Sequence, residues 1–233
     1  MIKSFLILIN FQILLYSSQQ IILVVSDGFS SPKASLECYE DGKKIFDTLQ
    51  VNIGKNGLGW GIGEKVLRQG VSDPLKYEGD KKAPIGVFKL TNIYGYAQKH
   101  NYKMPYLYTS KKLICVDDSN SNFYNQIIEA NGNEKSFEYM KRDDHQYELG
   151  IVVSHNQNAI AKRGSCIFLH VKKSQNAPTA GCTSMSLKEI QKIVKWLDKD
   201  KNPILIQIPK SSSREILKLY PELESSKLLG LKK

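Results

Sequence analysis

From residue 21 to about residue 170 the chain is a succession of short apolar segments, many β-branched, separated by turn-forming residues. Apolar side chains at alternate positions, interrupted by Gly, Pro, Asn or Asp, suit strands that bury one face. "IILVV" from Ile21 has the length and branching of a first strand, and "VFKL" follows a turn set by Pro84 and Gly86. "YELGIVVSHN" and "GSCIFLHV" read as two buried strands that run out at His155 and His170. The period changes once. Ser186 with Glu189 three residues on makes a capping box, and Leu187, Ile190, Val194 and Leu197 then form one apolar helical stripe. Asp200 to Pro203 ends that helix, and "ILIQI" is a last strand closed by Pro209. With no internal repeat, one mainly β domain over residues 20–209 accounts for the pattern.

The two ends differ from this body. "MIKSFLILINFQILLYSSQQ" places Lys3 before an apolar stretch from Phe5 to Tyr16, then two serines. It reads as a secretory signal peptide over residues 1–18, too short for a membrane span, with a signal anchor as the competing reading. The expectation is a secreted or periplasmic protein with no stable membrane insertion after cleavage. Residues 210–233 form a basic tail of serines, charges and weak amphipathic pattern, expected to lie outside the core and to be partly helical.

Lys and Arg number 33 against 23 Asp and Glu, a net charge of +10 that favours anionic partners without choosing among them. No Lys/Arg cluster interleaved with aromatics and no zinc-finger or RNP-like spacing is present, so nucleic-acid binding is not expected. "GKNGLGWGIG" at residues 54–63 lacks the context of a phosphate cradle and reads as a loop that bends tightly or approaches another backbone. Trp60 within it is expected in the core. The pairs Asp117–Asp118 and Asp143–Asp144 fit turn chemistry better than paired catalytic carboxylates.

The stretch "LHVKKSQNAPTAGCTSM", residues 169–185, carries the most specific chemistry. Cys166, Phe168 and His170 share one face of their strand, as Ile151, Val153 and His155 share one of theirs. Gly181 lets the backbone turn sharply before Cys182, and a helix begins four residues later. Amides near Gly181, Cys182 and Thr183 can then converge to stabilise a thiolate or an oxyanion. If residues 171–181 loop back, His170 reaches Cys182 as base to nucleophile. No carboxylate lies beside either residue, so a backbone carbonyl is the economical group to orient the imidazole. Two alternatives stand beside this reading. An isolated cysteine is usually a small buried hydrophobe and a strand-end histidine usually just hydrogen-bonded; a zinc site from His155, Cys166, His170 and Cys182 has spacing that matches no paired-ligand pattern. Export would permit disulfides among Cys38, Cys115, Cys166 and Cys182, and a Cys182 thiolate would leave room for one bridge at most.

"GSCIFLHV", "APTAGCTSMS", a helix ending "WLD" and the strand "PILIQIP" resemble the catalytic core of the YkuD-type L,D-transpeptidases, marked by a histidine followed by Ser/Thr-x-Gly-Cys. "GKNGLGWGIG", "EGDKKAPIGVFKLTNIYGYA", "MPYLY", "CVDDSNSNFYNQII" and "MKRDDHQYELGIVVSHN" recur in the same order in exported members of one branch, so the resemblance spans residues 20–209. It implies a β-sandwich-like catalytic domain with a few helices, a monomer, and no cofactor or metal. It further implies Cys182 as the nucleophile on a peptidoglycan stem peptide, His170 as base, and the Val171 carbonyl orienting the ring. Thr179 and Gly181, with Cys182, would shape the oxyanion site, and Cys115 with Cys166 would be the bridged pair. An L,D-carboxypeptidase or endopeptidase using the same thioester is the alternative activity; an inactive wall-binding module is a third. Many relatives carry Arg where this chain has Thr183, which bears on substrate-carboxylate recognition. Thr183 and His155 are carried as cleft positions.

Overall fold

The computed structural model describes residues 18–230, so the expected signal peptide lies, except for Ser18, outside the described residues. The first strands are β1 (Gln20–Ser26), β2 (Lys33–Glu40), β3 (Lys43–Lys44), β4 (Leu49–Asn52) and β5 (Leu58–Trp60). A long strand, β6 (Ala83–Gly95), leads to β7 (Tyr106–Tyr108), β8 (Leu113–Val116), β9 (Ile127–Glu129) and β10 (Phe137–Tyr139). Then come β11 (Leu149–Val153), β12 (Phe168–Val171), β13 (Thr183–Met185), helix α1 (Leu187–Trp196), β14 (Ile204–Pro209) and helix α2 (Ser213–Leu219).

Hydrogen-bonded neighbours run β1, β14, β6, β11, β12, β13, β4, β2, and β2 pairs again with β1, so these strands close into a ring. Closure removes the open edges that a sandwich would have to protect. The ring is thinnest between β13 and β4, joined by the single pair Ser184 and Asn52. One face is filled by Ile22, Leu36, Phe88, Ile151 and Leu169, and Leu23 and Ile206 are buried on the opposite face, all fully or almost fully buried. Each such side chain stabilises the fold by about 1.5–3 kcal/mol relative to exposure. Helix α1 starts where the capping box requires: Ser186 accepts from the Glu189 amide, and Glu189 reaches back to the Ser186 amide. Its stripe of Ile190, Ile193 and Val194 is buried. Trp60 is packed in the core, with its indole N–H on Asp73.

A separate three-stranded sheet, β10–β8–β9, stands beside the ring. The Cys115–Cys166 disulfide ties it down, linking β8 to the loop before β12. Such a cross-link contributes about 2–4 kcal/mol, and here it also holds the small sheet as one wall of a cleft.

The tail differs from its expectation. A 3-10 turn at Lys210–Ser212, α2 and a second turn at Pro221–Leu223 carry it back along the ring. Ile216, Tyr220, Leu223 and Leu229 are buried in the main core. Ser226 donates to the buried Glu37 carboxylate of β2 at 2.7 Å. With these side chains in the main core and Ser226 bonded to β2, residues 210–230 belong to the folded unit.

Candidate active site

Strands β12 and β13 are parallel neighbours, with His170 opposite Ser184 and Leu169 opposite Thr183. That register places Cys182, the residue just before β13, beside Phe168, two positions from His170. His170 (4% exposed) and Cys182 (8% exposed) line one cleft of about 320 Å³. The turn that delivers the cysteine is tightly fixed: the Thr179 hydroxyl donates to the Cys182 carbonyl at 2.6 Å and accepts from the Gly181 amide at 3.1 Å. Gly181 has φ +152°, and a β-carbon there would stand 3.0 Å from the Lys82 carbonyl oxygen. A larger residue would therefore push the turn away from the β6 approach. Because the Gly181 N–H is occupied by Thr179, this pair holds the turn together instead of presenting that amide to a ligand.

The sulfur of Cys182 accepts from the Phe168 amide at 3.3 Å and donates toward the Cys166 carbonyl at 3.5 Å. Burial, and then the half-buried Glu138 carboxylate, push the thiol up to about 12, against a smaller opposing pull from the Phe168 amide, Lys76 and Arg142. Burial pushes His170 down to about 4. At neutral pH the resting pair is thus a thiol and a neutral imidazole. His170 Nδ1 lies 2.8 Å from the Val171 carbonyl oxygen, which can only accept, so Nδ1 carries the proton and Nε2 is left as the basic nitrogen. The ring is held edge-on by Tyr147 at 5.3 Å between centroids, and Tyr147 in turn donates its hydroxyl to Glu138.

Two residues expected at the cleft point elsewhere. Thr183 is 2% exposed and donates to Gln207 Oε1 at 2.6 Å, while Gln207 reaches the Pro84 carbonyl. Successive side chains of a strand face opposite ways, so the residue after the cysteine faces the ring interior. His155 lies under a neighbouring cavity with Asn125 and Cys115, its ring edge-on to Phe88. Burial pushes it down to about 3, with Lys76 and Arg163 adding to that, and its two ring nitrogens have no hydrogen-bond partner among the described residues. The zinc alternative has no support in the geometry: Cys166 is bridged, and no group of three or more potential metal ligands occurs among the described residues.

Cleft residues not legible beforehand include Lys76, Glu78, Glu138, Arg142 and Tyr147. Asp117 also lines the cleft, with one buried carboxylate oxygen unpartnered among the described residues, while Asp118 caps the turn expected there. Asp144 pairs with Arg142 through two bonds of 2.9 and 2.6 Å.

The closed β-ring thus brings a thiol and an imidazole from paired strands to one cleft. The model of the YkuD L,D-transpeptidase catalytic domain matches residues 20–206, and the chain belongs to that family. Neither a curated protein nor a solved structure matches it significantly.

Proposed function

We propose that this protein is an exported cysteine acyltransferase that acts on peptidoglycan stem peptides by L,D-transpeptidation. One observation carries the reading: in a YkuD-family chain, Cys182 and His170 open on the same cleft, with His170 in the tautomer that leaves Nε2 basic. Cys182 Sγ attacks the acyl carbonyl of the diamino-acid centre as its proton passes to His170 Nε2. Collapse of the tetrahedral intermediate breaks the bond to the terminal D-residue, whose amine leaves with that proton, and a thioester remains. The amine of a second stem then attacks the thioester, His170 takes its proton, and the sulfur is released and reprotonated. A neutral imidazole is the form such a base needs, and burial keeps it neutral.

The +10 charge suits an anionic wall, and no helix among the described residues is long and apolar enough to cross a membrane. The test incubates the purified protein with a disaccharide tetrapeptide and follows products by mass spectrometry. Cross-linked dimers are expected. Shortened stems without dimers would instead assign the thioester to water, and turnover by Cys182→Ala would overturn the mechanism.

A further inference from the structure

We propose that Lys76 is a working residue of this site: a buried ammonium, fixed behind the Gly181–Cys182 turn, that favours negative charge on the Cys182 sulfur. The proposal rests on Cys182 being the nucleophile. Lys76 acts across the turn without touching the reacting atoms, and is a positioning residue in that sense.

A lysine that is 3% exposed is uncommon, because taking an ammonium out of water is costly unless it is held by partners. Here Nζ donates to Asp80 at 2.6 Å and to the Tyr77 carbonyl at 2.6 Å, which leaves one of its three N–H bonds uncommitted by these partners. The backbone of Lys76 is anchored as well: its amide donates to the Trp60 carbonyl and its carbonyl accepts from Arg163 Nε. The stem runs beneath the loop that leads to Cys166. At Gly164, with φ +93°, a β-carbon would stand 3.0 Å from Lys76 Cε and 3.1 Å from His155 Cε1. The glycine thus leaves the room in which the lysine and the unpartnered imidazole lie together. The ammonium ends 3.8 Å from where a Gly181 β-carbon would be, and Lys76 lines the cleft with Cys182.

The balance of charge around the sulfur explains why such a residue matters. Glu138, on β10, opposes a thiolate, and Asp117 and Glu78 line the same cleft. Arg142 favours a thiolate but is committed to Asp144. His170, Tyr94 and Tyr147 face the sulfur's surroundings as neutral groups, and Lys81 lies at the exposed rim. Asp80, the counter-ion of Lys76, is itself held by the Tyr77 and Lys82 amides at 2.7 and 2.8 Å, which draw off part of its charge. Lys76 is consequently the fixed cation whose field reaches the nucleophile from behind, in a low-dielectric setting where charge acts strongly.

The experiment is alkylation of Cys182 by iodoacetamide in the full chain as a function of pH, read at the Cys182 peptide by mass spectrometry. Lys76→Met should slow alkylation about tenfold at fixed pH and move the profile up by about one pH unit. Lys76→Arg should restore most of the rate, and Asp80→Asn should shift the profile the other way. Superimposable profiles for folded wild type, Lys76→Met and Asp80→Asn would overturn the proposal; if Lys76→Met fails to fold, an unmoved Asp80→Asn profile decides against it. Because alkylation needs no peptidoglycan, a wild type without turnover but with these shifts would overturn the proposed function and leave Lys76 in its role.

Discussion

The molecule holds two unbridged buried cysteines, each beside a glutamate, and the two settings have opposite consequences. Cys38 in β2 is surrounded by core, and burial pushes its thiol far up, with the adjacent Glu37 adding to that. Glu37 itself is fully engaged: Tyr39, Lys44, Thr48 and Ser226 all donate to it. Cys182 lies instead at a cleft wall, with an amide on its sulfur and the His170 imidazole two register positions away. Its glutamate, Glu138, is kept above the ordinary carboxylate range by burial, despite the Tyr147 hydroxyl and with Asp117 adding to the rise. A complete set of partners makes a buried acid structural; an incomplete set beside a cleft leaves it available to a ligand.

The sharpest way to break this contrast is to remove each sulfur. Cys182→Ala should abolish turnover of the tetrapeptide while the melting temperature stays close to wild type. Cys38→Ala should leave turnover intact and lower stability by about 1–2 kcal/mol through the small void it creates. Equal effects of the two changes on turnover would erase the distinction.

Next in size is His170→Ala, expected to slow acylation by about 10² to 10⁴. Burial lowers the wild-type imidazole to about 4, so it is unprotonated above that pH and loses its function as base as pH falls through it. The acid limb of kcat/KM for the wild type should accordingly lie near pH 4. A limb at the ordinary histidine value would mean that the cleft is wetter than its burial indicates.

Leu223→Ala tests the structural side of the comparison. Leu223 is fully buried in the main core although it lies in the tail. Its truncation should cost about 2–5 kcal/mol in a urea or thermal melt and leave the pH profile of activity unmoved. A loss of less than about 0.5 kcal/mol would return the tail to the surface.

What the sequence disclosed follows the range of the interactions involved. β1 and the capped helix α1 rest on branching, alternation and a four-residue box, all local, and each is found where its residues put it. The Cys182–His170 pair was legible because a strand end and a glycine turn bracket it, and because the family motif covers it. Ring closure was not, since the pairing of Ser184 with Asn52 joins positions more than a hundred residues apart. Nor was tail burial: Ile216, Tyr220 and Leu223 fall at helical spacing, but nothing local says which surface that stripe meets, and Ser226 finds its partner near the other end of the chain. Thr183 shows an available signal unused, because strand alternation alone turns it away from the face that Cys182 serves. Lys76 had no local mark among 33 Lys and Arg residues; only the fold distinguishes a buried ammonium from a solvated one.

The finest test concerns Glu37, where the structural region is most completely bonded. Burial alone would raise its carboxyl, but Lys44, Tyr39, Ser226 and Thr48 together hold it down at about 2, below an ordinary value of 4.5. A carboxyl depressed in the folded state contributes stability that is present above the unfolded value and lost as pH falls toward the folded one. The window is therefore about pH 4.5 down to about 2. Ser226→Ala removes one donor from that set and should cost about 1 kcal/mol at pH 7. The gap between variant and wild type should narrow as melts are taken toward pH 2, because protonation removes the charge that the hydroxyl serves. A gap constant with pH would show that Ser226 holds the tail by packing alone, and the contrast between the two glutamates would then rest on Lys44, Tyr39 and Thr48.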